Sequence, residues 1–178
     1  MRLICESVTV KESMNHPTDM AKIYDDHSVR LYNMSLRIVA DRFEAEEVMH
    51  DTLIQYHSLE DKSVIQDLRK WLSSICIRKS IDRLRKRRRF RDFLEEYEEP
   101  VSIEVEEPDY ELDVVRIRKA LVRLPDSYRL MISLHLFEGY DYQEISQITG
   151  IKEVTVRSTF LRARRKLVEM LNNMPWTD

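Results

Sequence analysis

Glycine and cysteine are nearly absent from this chain of 178 residues, with two of each. Gly139 and Gly150 are too few for a Gly-rich phosphate loop or a dinucleotide fingerprint, which need several glycines so that backbone can approach phosphate. Cys5 and Cys76 cannot form a four-cysteine zinc site, and a bridge between them would be a lone staple. Such low cysteine usage fits a reducing cytoplasm. Two glycines and five prolines leave little turn chemistry for a many-stranded β fold, so long helices are favoured. No apolar run approaches the ~18 residues that span a bilayer, so membrane insertion is not expected. The opening stretch MRLICESVTVKESM places Glu6 after a very short apolar run, which argues against a secretory signal. His16, His27, His57 and His135 show no metal-ligand spacing, and neither metal nor other cofactor is expected.

Charge is abundant instead. Asp, Glu, Lys and Arg make up 34% of the chain, and the net charge is only -3. The distribution is more informative than the sum. From Arg78 to Arg91 nine basic residues face one acid, Asp82, whereas from Asp92 to Asp113 there are eleven acids and no base. Blocks of like charge are solvated surfaces or interaction segments. The acidic block also contains Pro100 and Pro108 and lacks helical periodicity, so residues 92–112 read as a linker between two domains.

Apolar residues on either side of that block follow helical spacing. Ile23, Leu31, Met34, Leu36 and Ile38 mark a helix over 20–39, and Val48, Thr52, Leu53 and Tyr56 another over 44–56. A polar break near 57–67 precedes a third helix over 68–89, whose last turns carry more cations than a helix dipole needs. Four further helices are predicted over 113–124, 127–137, 142–149 and 152–171, with stops at Pro125, Gly139 and Gly150.

The most specific local pattern runs from Tyr140 to Leu167. A short helix meets a Gly-Ile turn and then a helix rich in basic residues, the form of a helix-turn-helix. Ser146 is small enough for the crossing, Gly150 tolerates the left-handed turn, and Ile145, Ile148, Ile151 and Val156 supply the inner faces. Phe160, Ala163 and Leu167 continue the buried stripe. Lys152, Glu153, Thr155, Arg157, Ser158 and Arg162 lie away from it, on the turns that reach base edges in the major groove. An ordinary helical hairpin with a solvated basic face is the competing reading. Five basic and no acidic residues across Arg157–Lys166 favour DNA.

A second cationic surface is predicted on the third helix. Arg78, Lys79, Arg83 and Arg85 could form a groove for a separated strand, with Trp71 either stacking on a base or packing in the core.

Taken together these strings resemble the sigma subunits of bacterial RNA polymerase, in particular the extracytoplasmic-function (ECF) type. Ala45-Glu46-Glu47-Val48-Met49-His50-Asp51 resembles the family's acidic core-binding helix. Trp71-Leu72-Ser73-Ser74-Ile75 and Ile81-Asp82-Arg83-Leu84-Arg85 resemble its promoter-melting helix. Leu124-Pro125, Tyr128-Arg129, Phe137-Glu138-Gly139-Tyr140, Thr155-Val156-Arg157-Ser158 and Arg162-Ala163-Arg164 resemble region four. The resemblance implies an all-α chain of two small helical domains. Residues 20–91 would be a region-two-like bundle that binds core polymerase and melts the minus-ten element. Residues 113–178 would be a region-four-like helix-turn-helix domain that reads the minus-thirty-five element. Residues 92–112 would be the acidic linker, running through the active-site cleft and RNA exit path, and 1–19 an N-terminal extension. The implied partners are core RNA polymerase, promoter DNA and an anti-sigma factor.

Within that resemblance, Glu46, Glu47, His50 and Asp51 would contact the coiled coil of the largest polymerase subunit. Glu47 and His50 stand where the family commonly has Asp and Gln. Arg78 replaces a common Asn, and Lys152 a Ser-like helix cap. Two other classes compete: a free-standing regulator with a dimerising or sensing N-terminal domain, and a metal-dependent nuclease using Glu46, Glu47 and Asp51. The first lacks a long heptad and the second a further carboxylate cluster. No catalytic residue is assigned.

Overall fold

The computed structural model describes residues 17–94 and 112–173. Seven α-helices occur among them: α1 Pro17–Val39, α2 Arg42–His57, α3 Leu68–Leu94, α4 Leu112–Val122, α5 Asp126–Ile132, α6 Tyr142–Thr149 and α7 Glu153–Asn173. A π-helical segment, Ser133–Phe137, continues α5. The described residues include no strand. Residues 95–111, most of the acidic block, and 1–16 of the predicted extension lie outside the described residues.

The first three helices form one bundle. α1 turns into α2 through Ala40, whose φ of 53° is left-handed. Asp41 then caps α2 by accepting the Glu44 N–H at 2.8 Å. α2 buries Ala45, Val48, Met49, Thr52, Leu53 and Tyr56, a stripe stepping by three, one and three. Thr52 fits this apolar face because its hydroxyl donates to the Val48 carbonyl at 2.7 Å. α1 and α3 approach at two buried serines, where the Ser80 hydroxyl lies 3.1 Å from that of Ser35 and donates to the Cys76 carbonyl. Cys76 is fully buried. α3 runs on to Leu94 rather than stopping at 89, so its end enters the segment predicted as linker.

The second bundle places the helix-turn-helix on α4 and α5. The π segment is closed by the Glu138 N–H on the Ser133 carbonyl at 3.1 Å, and the Tyr140 N–H returns to Leu134 at 3.0 Å. Gly139, at φ 77°, makes that return possible. The wider turn also brings His135 between the rings of Tyr142 and Phe160, at 4.7 and 4.6 Å. Its Nδ1 lies 2.7 Å from the Tyr140 carbonyl oxygen. His135 is therefore a packing residue joining α5, α6 and α7, as expected for a histidine without ligand spacing.

The bundles also meet. The sequence separates two domains by the linker 92–112, and in the fold the end of α1 packs on α5 and the π segment. Arg129, 3% exposed, donates to the Ile38 carbonyl at 3.0 Å and to the Leu124 carbonyl at 2.8 Å, and pairs with Asp126. The Ser133 hydroxyl reaches the Arg37 carbonyl, and Arg37 pairs with Glu138 while lying over the Phe137 ring. A buried guanidinium is tolerable only with such partners, so the α1 terminus and the loop before α5 are fixed together.

Candidate polymerase and nucleic-acid interfaces

α2 presents its carboxylates away from the bundle. Glu46, Glu47 and His50 are exposed and Asp51 half-buried, since all four fall between the buried positions of the stripe. His50 lies 6.3 Å from the Tyr24 ring, roughly stacked. Phe43 and Ile54, 82% and 63% exposed, flank the acidic patch on the same helix. The stripe read from the sequence includes neither, because both lie on the face opposite the buried positions.

One predicted division is blurred by an ion pair. Arg83, assigned to the strand-binding surface, donates to Glu47 at 2.8 Å and to Asp51 at 3.4 Å, the two carboxylates assigned to polymerase. The two surfaces share a side chain. Arg87 of α3 pairs with Glu44 in the same way and also donates to the Val39 carbonyl, so α2 and α3 are zipped by charge. Partly exposed pairs of this kind contribute about 0–1 kcal/mol each.

Arg78 and Arg85 lie on the exposed face of α3, and Lys79 is half-buried. Trp71 is half-buried, packed on the core and edge-on to Tyr56 at 6.1 Å, which is the packing alternative for this residue. Arg85 pairs with Asp82 and also donates to the Thr149 carbonyl at 3.0 Å, at the end of α6. Arg78, Ile81, Asp82 and Arg85 with Ile148 line a groove of about 230 Å³ between α3 and α6.

The helix-turn-helix forms as predicted. Asp141 and Glu144 make a reciprocal capping box at the start of α6, and Gly150 ends it at φ 72°. Ile145, Val156, Phe160 and Ala163 are buried between the helices. The Lys152 carbonyl opens α7 by accepting the N–H groups of Thr155 and Val156, at 2.8 and 3.0 Å. Lys152, Glu153, Thr155, Arg157 and Arg162 are exposed and Ser158 is half-buried. Arg157 pairs with Glu153 at 3.2 Å and lies over the Tyr142 ring at 5.2 Å. Arg164, Arg165 and Lys166 extend the cationic surface along α7. Val154 and Leu161, 81% and 54% exposed, lie on the same helix and were not anticipated.

No group of three metal-ligating side chains occurs among the described residues, and no helix among them is long and apolar enough to cross a membrane.

Comparison with known proteins assigns both bundles. Residues 23–90 match Sigma-70 region 2 and residues 115–167 match Sigma-70 region 4. The ECF RNA polymerase sigma factor SigL of Mycobacterium tuberculosis is 30% identical over 155 residues, covering 83% of this chain and 86% of the relative. The chain belongs to the ECF sigma factors. The RNA polymerase sigma factor SigV of Bacillus subtilis is 28% identical over 139 residues, covering 78% of this chain and 82% of its own. Among solved structures, the sigma factor RpoE of Bartonella quintana, in complex with the anti-sigma factor NepR, superposes with a TM-score of 0.62. It shares 26% identity and covers 89% of this chain and 99% of its own. As a sigma factor the protein directs core RNA polymerase to promoters for transcription initiation. The all-α architecture with a region-two bundle and a region-four helix-turn-helix agrees with the sequence-based expectation.

Proposed function

We propose that this sigma factor divides the promoter between its two bundles. The module of residues 20–91 docks on core polymerase through Glu46, Glu47, His50 and Asp51. It holds the unpaired strand of the downstream element with Arg78, Lys79, Arg83 and Arg85, with Trp71 bracing the helix that carries them. The module of residues 113–178 reads the upstream duplex element through Lys152, Glu153, Thr155, Arg157, Ser158 and Arg162. Residues 92–112 link the two, and 1–19 form an extension. The observation that carries this reading is α7, whose buried stripe seats it in the helix-turn-helix while its cationic face stays exposed.

Arg83 serves the strand by leaving Glu47 and Asp51, so polymerase docking and strand capture are linked through one side chain. Reversal of Glu47 and Asp51 to Lys weakens polymerase binding. Arg83→Ala is the control, since it breaks the same ion pairs and leaves the carboxylates in place. The protein acts in the cytoplasm, without catalysis or cofactor of its own. An anti-sigma factor holds it inactive, as the RpoE relative is held in a complex with NepR.

Run-off transcription with core polymerase and a randomised promoter library tests the whole reading. Selective initiation is expected, and exchange of Arg157, Ser158 and Arg162 should alter the preferred upstream element without altering the melting step. Sequence-specific DNA retention by this chain without polymerase, and no stimulation of polymerase, would replace the reading with that of a free-standing regulator. Binding to promoter should fall steeply with salt, because phosphate neutralisation releases counterions.

A further inference from the structure

The surface of α7 turned furthest from the core is apolar in part. Val156, Phe160 and Ala163 are buried, and Leu167 packs against them, at steps of four, three and four. At 100° per residue the opposite side of the helix carries Val154, Ser158, Leu161 and Arg165, at the same steps. Val154 is 81% exposed and Leu161 54% exposed. The flanks of this row are cationic, with Arg157 and Arg164 on one side and Arg162 on the other. Glu153 is engaged by Arg157, which tempers the one carboxylate of the first turn.

A β-branched side chain left in water at the first turn of a groove-reading helix has a specific complement. Among base edges in the major groove, only thymine offers a methyl group, and apolar side chains recognise it by contact. The surrounding cations bring that methyl within reach by neutralising the phosphates on either side of the groove. Ser158, next along the row, is half-buried and donates its hydroxyl back to the Thr155 carbonyl at 3.0 Å.

We infer that Val154 is a specificity-determining residue that reads the 5-methyl group of a thymine in the upstream promoter element. The inference rests on the proposed reading of that element by α7 and adds a base preference to it. Leu161 lies two turns further along the same row, opposite a different base step, and serves as the comparator.

The test uses full-length protein with core polymerase on the promoter selected from the library. Each thymine of the upstream element is replaced in turn by deoxyuridine, which removes only the methyl group. At one position the replacement should weaken promoter binding by about fourfold, the factor that burying a single methyl group supplies. Val154→Ala should show the same loss on the thymine template and no further loss on deoxyuridine. Leu161→Ala should keep the full sensitivity to deoxyuridine at that position. Selective initiation from an element with no required thymine, or equal deoxyuridine losses in parent and Val154→Ala, overturns the inference and leaves the sigma reading intact. Absence of selective initiation on any template removes the sigma reading first, and the inference with it.

Discussion

A thiol and a guanidinium illustrate how single side chains report the packing. Cys76 is completely enclosed between α1 and α3, and its Sγ lies 3.5 Å from the Leu31 carbonyl oxygen. Burial, reinforced by the Glu138 carboxylate, pushes its thiol up to about 12. A thiol held protonated and covered is inert to alkylation. In a Cys5→Ser protein, a maleimide should leave Cys76 unmodified under native conditions and label it fully in denaturant; rapid native labelling would contradict the buried placement. The sequence singled out Cys76 only as one of two cysteines, with nothing to say which element would cover it. Arg129 is a similar case. The resemblance marked Tyr128-Arg129 as a family string, yet its role is visible only once Ile38, ninety-one positions earlier, is seen to accept its hydrogen bond. Long-range acceptors on the main chain leave no trace in local composition.

Helices were far more legible than their ends. Stripes such as Val48, Thr52, Leu53 and Tyr56 announced α2 because burial of one face dictates the spacing. The π turn after α5 was not legible, since it arises where Tyr140 must reach back to Leu134 and His135 must enter between two rings. The cap at α6 went unread in the sequence, although Asp141 and Glu144 stand three apart and bond reciprocally. Asp141→Ala should lower stability by about 0.5–2 kcal/mol in denaturant unfolding. A change below that range would mean water replaces the cap without cost. His27 on α1 gives a pH dependence. Burial, then Arg30, lowers its pKa from the ordinary value, with Arg69 adding and Asp26 opposing. The folded chain therefore binds the proton less readily than the unfolded chain. This contribution is complete above the unfolded value near 6.5 and is lost as pH falls through the folded one. The melting temperature should drop between about pH 7.5 and 5.5, and His27→Gln should shrink that drop; an unchanged drop would exclude His27 as its source.

At the scale of the molecule, composition gave two helical modules and opposed charge blocks, but not the contact between them. Nothing local in the sequence says that Arg85 of α3 will find the Thr149 carbonyl at the end of α6. That contact has a consequence for promoter opening. The groove lined by Arg78, Ile81, Asp82 and Arg85 is closed on one side by Ile148, so α6 occupies space beside the cations that a single strand would need. If these cations hold the strand as proposed, its capture requires α6 to move off α3. Among the contacts opposing this are a main-chain hydrogen bond from Arg85, the Arg37–Glu138 pair, and the Arg129 cluster at the α1 terminus. Hydrogen bonds from charged groups contribute about 1.5–3 kcal/mol each, an energy that docking on a large partner readily offsets. A covalent tie across the groove should prevent the movement. With Asp82→Cys and Ile148→Cys in the Cys5→Ser background, a short reducible bismaleimide joins α3 to α6 while buried Cys76 stays unmodified. Promoter-directed run-off by core polymerase should fall at least about tenfold, the factor corresponding to 1.4 kcal/mol, and return when the linker is reduced. The untied double variant sets the baseline for this comparison, because Asp82 pairs with Arg85 and Ile148 packs against the core. Full activity of the tied protein would mean that the strand is held without separation of α6 from α3.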